Sequence, residues 1–275
     1  MVKQKEIAIV YMCAGISSRF GGKIKQFAKV GPIGETLIEY SLNQATNAGF
    51  TKIIFIVGNK TELPFKEKFG NDYRGIPIEY VLQKYDVKIR DKPWGTTDAL
   101  CTIKDIIACP FVVCNGDDIY GENTFKLLAE HLKKENDEAT IGYKLCEVIP
   151  DFGKTNRGIF QIDNKYVESL KEVLSIEKNN LSATNNTPDD LCSMNIYALH
   201  PKTVNLLSKS LKRFKLNNKD NKKIECLLPE ELSNLLEKEK IKMKIYPSND
   251  LWIGVTNPED EPIVRKKLIE ISKKT

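Results

Sequence analysis

The sequence predicts an α/β protein built on a mainly parallel sheet with helices on both faces. Short runs rich in Ile and Val recur along the first half, and amphipathic stretches of helical period separate them. Turn-forming residues punctuate the two. Residues 7–12 read as the first strand, followed by the loop AGISSRFGGKIKQ. A helix is expected over 37–48, because Leu37, Ile38, Tyr40, Ser41 and Leu42 supply one face and Gly49 a stop. KIIFIVGN is a second strand, IPIEYVLQ a third and PFVVCNGDD a fourth that ends in acid, with helices near 63–69 and 97–107. Ligands of such sheets bind beyond the carboxyl ends of the strands. The AGISSRFGG loop, Gln83 and the NGDD turn all follow such ends and are expected in one crevice.

The second half is less regular. RGIFQIDNKYVESLKEV reads as a hairpin turning at Asp163 and Asn164, and CSMNIYAL as another strand. Helices follow at 201–213 and 229–237, then the strands KMKIYP and DLWIGVT, then a closing helix opened by NPEDEP. KNNLSATNNTPDD and LNNKDNKK are polar and Asn-rich, and suit mobile loops or a flap. No internal repeat is evident, and the expectation is a single domain over 1–275 with halves at about 1–135 and about 136–275.

Composition narrows the function classes. The 275 residues carry 42 Lys+Arg against 37 Asp+Glu, a net charge of +5, too slight and too scattered to argue for nucleic-acid binding. The lysine-rich stretches KRFKLNNKDNKK and EKEKIKMK are interleaved with acid or Asn and read as solvated faces. Seven cysteines, an odd number without a CxxC pair, argue against a disulfide scaffold or a zinc ribbon and for a reducing, cytoplasmic setting. MVKQKEIAIVYMCAG starts like a signal n-region, but its apolar stretch is short and alternates, so it reads as a strand. No apolar run approaches the ~20 residues of a membrane helix. His131 and His200 stand beside no motif, and Trp94 and Trp252 read as packing residues.

The small-residue loop after the first strand suits phosphate binding by backbone N–H groups. It is not the dinucleotide pattern GxGxxG, which from Gly15 needs glycines where Ser17 and Phe20 stand. It is not GxxxxGK[ST] either, since Gly22-Lys23 is followed by Ile24 and the earlier glycine is Ser17. What remains is a loop with Arg19 and Lys25 beside glycines, a planar fork and a mobile point charge suited to phosphate oxygens. A plain βα turn, with glycines supplying positive φ, is the rival reading of the loop alone.

With Ala14, Gly15, Ser18, Arg19, Gly21, Gly22, Lys25 and Gln26, this loop resembles the signature of the nucleotidyltransferase superfamily that includes sugar-nucleotide pyrophosphorylases. Further segments in the right order extend the resemblance over nearly the whole chain. IEYVLQ is similar to the strand that ends in a base-reading glutamine, here Gln83. KPWGTTDAL resembles the segment packed against the base, here Gly95 and Thr96, with Asp98 where relatives often carry Gln or His. CNGDDIYG is similar to the turn bearing a magnesium-binding aspartate, here Asp117, with Asp118 beside it near the sugar phosphate. RGIF, ESLKE and SMNIY resemble sugar-facing segments, mapping Gly158, Glu172 and Asn195 to the sugar. WIGVTNPED is similar to the last strand-to-helix turn, where a second metal ligand falls at Thr256.

The resemblance implies a Rossmann-like, GT-A-like fold whose halves bind nucleotide and sugar. It implies magnesium-dependent transfer of a nucleotidyl group from a nucleoside triphosphate to a sugar 1-phosphate, releasing pyrophosphate, with UTP or dTTP ahead of CTP and GTP. Arg19 would hold the β- and γ-phosphates, and Lys25 would bridge the α-phosphate and the attacking phosphate. No covalent nucleophile is needed, because positioning and charge stabilisation carry such reactions. Three rivals stay open: a cytidylyltransferase for phosphocholine or another non-sugar phosphate, a silent nucleotide-sugar-sensing subunit, and a glycosyltransferase. A homo-oligomer is also left open.

Overall fold

The structure is a computed structural model that describes residues 5–15, 20–151, 153–255 and 257–273. Its centre is the parallel set predicted from the Ile/Val runs: β1 (Ala8–Cys13), β2 (Lys52–Val57), β4 (Ile76–Leu82) and β5 (Phe111–Asn115). A short β3 (Asp72–Tyr73) edges β4 in antiparallel sense. Side chains of β1 alternate between two cores, as strand geometry requires. Ile7, Ile9, Tyr11 and Cys13 pack with α1 (Leu37–Asn47), α2 (Glu62–Phe69) and α4 (Glu122–Lys134). Ala8 and Val10 face the other way, against α3 (Thr96–Cys101), α6 (Pro201–Asn217) and α7 (Leu228–Glu237). Helix α3 is shorter than the predicted 97–107; beyond Cys101 the chain continues in turns.

Residues 122–148 carry three elements that have no counterpart among the sequence expectations. Helix α4 buries Phe125, Leu128, Ala129 and Leu132, a spacing of helical period. It leads into β7 (Glu138–Lys144) and the single turn α5 (Leu145–Val148). Strand β7 opens on a buried Glu138, whose carboxylate accepts from the His200 backbone N–H at 2.9 Å and from the Thr203 hydroxyl. No local pattern announces a strand that begins on a buried acid.

The second half adds β8 (Thr155–Asp163), β9 (Tyr166–Ile176), β10 (Leu191–Leu199) and β11 (Met243–Pro247) to the same sheet. Its order is β3-β4-β2-β1-β5-β10-β7-β11-β9-β8. The hairpin between β8 and β9 turns at Asn164 and Lys165, both at positive φ, one residue later than predicted. Strand β10 is antiparallel to both β5 and β7, so the sheet is mixed. It also pairs with β8, which curls the β8–β9 hairpin back over the sheet. A separate pair joins β6 (Asp118–Ile119) to β12 (Ile253–Gly254), and α8 (Asp260–Ser272) closes the described chain. The DLWIGVT strand is thus reduced to two residues. Among the described residues no helix is long and apolar enough to cross a membrane.

The stretches expected to be mobile are engaged. Residues 178–184 form a 3-10 turn, and the carbonyls of Asn221 and Ile224 accept from the Arg90 guanidinium.

A very close approach in the sheet lies where β5 ends beside β1. The Gly116 N–H donates to Met12 O at 3.1 Å, and a Cβ at position 116 would stand 2.3 Å from the buried Cys13 Sγ. Gly116→Ala should cost about 1–3 kcal/mol by overpacking, read by urea denaturation, and Cys13→Ala should recover part of it in the double variant. Equal and additive losses in the two single variants and their combination would show that the contact is not the cause.

Candidate functional site

Parallel neighbours send their following loops out at the same end of the sheet, and β1 and β5 pair in register with Met12 opposite Asn115. Ala14 and Gly15 follow β1 directly, half-buried and exposed respectively. The chain returns in a single 3-10 turn, Lys25–Phe27, and this delivers Lys25 to the β5 turn. Its Nζ lies 2.8 Å from Asp117 Oδ2, with the side chains 15% and 30% exposed. Gln26 beside it is buried, and its Oε1 has no partner among the described residues. Arg19 and Ser18 lie outside the described residues.

Asp118 turns the other way, as extended backbone dictates. Its Oδ2 accepts from Asn115 Nδ2 at 2.9 Å and from the Tyr120 hydroxyl at 3.3 Å. Burial, followed by the charge of Asp117, pushes the Asp118 carboxyl up to about 7. Gly254 of β12 pairs with Asp118, which brings the end of the chain to this turn. Thr256, two residues on, lies outside the described residues.

The donor set fits magnesium in one way. That ion prefers carboxylate and phosphate oxygens and keeps several waters, so a partly exposed carboxylate at a strand end can hold it together with a bound phosphate. Asp117 is such a group. Among the described residues no cluster of three or more His, Cys, Asp or Glu forms an all-protein cage.

Gln83 stands just after β4, where its backbone N–H continues the ladder to Val57 O at 2.8 Å. Its side chain is buried and turned toward the KPWGTTDAL segment. Nε2 donates to Gly95 O at 3.1 Å and to Asp98 Oδ2 at 2.9 Å, and Lys215 Nζ sits 2.5 Å from Asp98 Oδ1. Gly95 has φ of +98°, and a Cβ there would lie 2.6 Å from Cys226 O, so only glycine fits this crossing. The two segments are laced together: Cys226 N–H donates to Trp94 O at 2.7 Å, Thr97 N–H to Cys226 O at 3.1 Å, and Leu228 N–H to Thr96 Oγ1 at 2.9 Å. Arg90 braces the lacing, its guanidinium 3.4 Å from the centre of the Trp94 ring. Trp94 is thus a packing residue, as expected.

The sugar-mapped residues meet in a cavity of about 230 Å³ lined by Thr96, Asn115, Asp118, Gly158, Glu172 and Asn195, among others. Strand register explains the meeting. Gly158 of β8 is opposite Glu172 of β9 and also opposite Ser193 of β10. Between Ser193 and Tyr197 the register of β10 slips against β7, and Asn195 in the slip adopts φ of +59°. Such bulges re-aim a side chain, and Asn tolerates this backbone better than most residues. A larger open depression of about 640 Å³ lies at Asp91 and residues 217–223 and carries none of the predicted residues.

The same cavity contains residues that sequence reasoning missed: Asn115, Arg157, Ser193 and Glu230. Arg157 donates to Val148 O at 2.6 Å and to Thr155 Oγ1 at 2.8 Å, and burial lowers its pKa. Burial, then Glu172 and Glu231, raises the Glu230 carboxyl. Glu230 lies in the first turn of α7, where an acid is expected for the helix dipole alone. Arg157 stood in the sequence directly before the matched Gly158, the one available signal.

Comparison with known proteins follows the same lines. Over 141 residues the chain is 26% identical to the UTP–glucose-1-phosphate uridylyltransferase AglF of Haloferax volcanii, covering 51% of this chain and 52% of that protein. The chain thus spans about half the length of this curated relative. The structure is similar to UDP-glucose pyrophosphorylase complexed with UDP-glucose, with a TM-score of 0.64 at 16% identity, covering 99% and 100% of the two chains. It is also similar to the inositol-1-phosphate CTP transferase from T. maritima, with a TM-score of 0.66 at 13% identity and 98% of each chain covered. At such identities these likenesses are of fold. The family model for nucleotidyl transferases matches residues 23–260, and the chain belongs to that family.

Proposed function

We propose that the protein joins a nucleoside triphosphate to a sugar 1-phosphate, giving a nucleoside diphosphate sugar and pyrophosphate. The observation that carries this reading is the Lys25–Asp117 pair at the strand ends, one residue from an Asp118 that lines the cavity with Gly158, Glu172 and Asn195. AglF, a relative by sequence, is named for the same class of reaction.

A phosphate oxygen of the sugar 1-phosphate attacks the α-phosphorus of the triphosphate. The bond from that phosphorus to the oxygen bridging it to the β-phosphate breaks, and pyrophosphate leaves opposite the attacking oxygen. Both reactants are anions, so the barrier falls only where their charge is met. Lys25 meets it between the α-phosphate and the attacking phosphate, and Arg19 on the departing phosphates. The N–H groups of Ala14 and Gly15, with the Ser18 hydroxyl, cradle the triphosphate. Asp117, with Thr256 as second ligand, would hold magnesium, which would supply neutralisation of phosphate charge. Gln83, Gly95 and Thr96 face the base. Glu172 and Asn195 accept and donate hydrogen bonds to sugar hydroxyls, Gly158 lets the ring approach, and Asp118 borders the sugar phosphate. The chain acts as one domain in the cytoplasm, on small-molecule partners and not on nucleic acid.

The test is a matrix of UTP, dTTP, CTP, GTP and ATP against common sugar 1-phosphates, inositol 1-phosphate and phosphocholine, read by pyrophosphate release with and without EDTA. Release with a sugar 1-phosphate that EDTA abolishes is expected. Release only with CTP and a non-sugar phosphate would move the reading to a cytidylyltransferase. Tight nucleotide-sugar binding without release would make the chain a sensor.

Lys25→Ala should lower kcat by ~10²–10³ while nucleotide Kd changes little, the pattern of charge met in the transition state. A rise in KM for the nucleotide alone would reduce Lys25 to docking. Asp117→Asn should remove magnesium-dependent turnover while the thermal transition stays near that of the parent. Retention of near-parental rate by that variant would remove Asp117 from the metal site.

A further inference from the structure

We propose that Asp98, held at its other oxygen by Lys215, locks the Gln83 amide in one orientation, so that the pocket selects bases with a ring N–H at the centre of the pairing edge: uracil, thymine or guanine. The inference rests on the reading of Gln83 as base-facing and goes beyond it to the polarity of the contact.

The geometry admits one orientation. An amide has one acceptor and two donor hydrogens. Around the buried Gln83 side chain stand two acceptors, Gly95 O at 3.1 Å and Asp98 Oδ2 at 2.9 Å, both on Nε2. A flipped amide would aim Oε1 at a carbonyl and a carboxylate together, leaving buried acceptors facing one another. Lys215 fixes the second end of the relay. An ammonium only donates, and it takes Asp98 Oδ1, which leaves Oδ2 to Gln83. With both hydrogens of Nε2 spent, Oε1 is what Gln83 offers a ligand. Set against the centre of the pairing edge, as the base-facing reading requires, that acceptor pairs with the N3–H of uracil or thymine and the N1–H of guanine, and it opposes the lone pairs on cytosine N3 and adenine N1.

The relay draws on β4, α3 and α6, elements far apart in sequence. An aspartate at position 98 matters because it accepts at both oxygens, which a neutral amide there cannot do.

Isosteric exchange tests this directly. In Asp98→Asn, Lys215 requires the remaining side-chain oxygen, so the new NH₂ group must face Gln83, a donor set against Nε2. The Gln83 amide then loses its fixed orientation. Binding of UTP, CTP, GTP and ATP is measured by calorimetry, which needs no turnover. The parent should bind UTP about tenfold or more tighter than CTP, the worth of one well-placed hydrogen bond, and Asp98→Asn should bring that ratio close to one. Adding Lys215→Met to Asp98→Asn frees the substituted amide to turn its oxygen to Gln83, and the ratio should recover. Lys215→Met alone and Lys215→Arg should keep it. A merely structural role would weaken all nucleotides together and leave the ratio unmoved, and the double variant would not recover it.

Gln83→Leu separates the two levels of failure. If it leaves the UTP/CTP ratio unchanged, Gln83 does not face the base, and that part of the functional reading falls. If it collapses the ratio while Asp98→Asn preserves it, the base contact stands and the lock is wrong. A parent that binds CTP as tightly as UTP overturns the lock outright, and a parent that binds no nucleotide overturns both.

Discussion

In the proposed reaction two like-charged molecules must have their charge held, and the pairing of β1 with β5 brings together the groups that would hold it. Because these strands are parallel neighbours, the loop after Cys13 and the turn after Asn115 emerge side by side. Lys25 and Asp117 then meet at 2.8 Å across chain segments far apart in sequence. An ion pair with this much solvent contact contributes at most about 1 kcal/mol to stability. Folding energy therefore does not account for its position. In the proposed function its value lies in presenting a cation and a carboxylate together at a strand end, where phosphate and metal would each find the opposite charge.

The sugar side depends on a different constraint, the change of partner along β10. Tyr197 to Leu199 pair with β5, whereas Cys192 and Ser193 pair with β8. The slip of β10 against β7 at Asn195 falls between those two pairings. The residue that absorbs it lines the cavity. The same curl places Gly158 between Glu172 and Ser193, so three strands converge on one wall. The cavity also gathers Asp118, Glu172 and Glu230 against Arg157. Carboxylates accept from hydroxyl groups, which makes this lining suited to a polyol ring, while Arg157 spends its guanidinium largely on protein oxygens.

How far the sequence carries depends on whether a signal is local. Strands β1, β2 and β5 were readable because buried parallel strands are continuous apolar runs, and the half-buried β4 because Ile, Tyr and Val favour a strand. Lys25 and Asp117 were singled out by the resemblance of their segments to a family signature, whereas their approach to 2.8 Å appears only in the fold. Helix α4 was readable in principle, since Phe125, Leu128, Ala129 and Leu132 keep a helical period. Strand β7 was not, because Glu138 is satisfied by His200 and Thr203 from another part of the chain. The bulge at Asn195 follows from pairing with both β5 and β8, which no window around SMNIY contains. Arg157 is concealed for the same reason: on β8 it reads as an ordinary strand residue, and only the fold-back onto β10 encloses it.

The base-facing segment shows how strongly the two parts of the chain depend on each other. Residues 94–98 have few buried apolar contacts of their own to define their path. They are held instead by backbone bonds to Cys226 and by the Thr96 hydroxyl under Leu228. The turn that supplies those bonds is itself held by Arg90, which donates to Asn221 O and Ile224 O while lying against the Trp94 ring. Each segment thus fixes the other, with a cation satisfied by carbonyls and an aromatic face in place of a carboxylate.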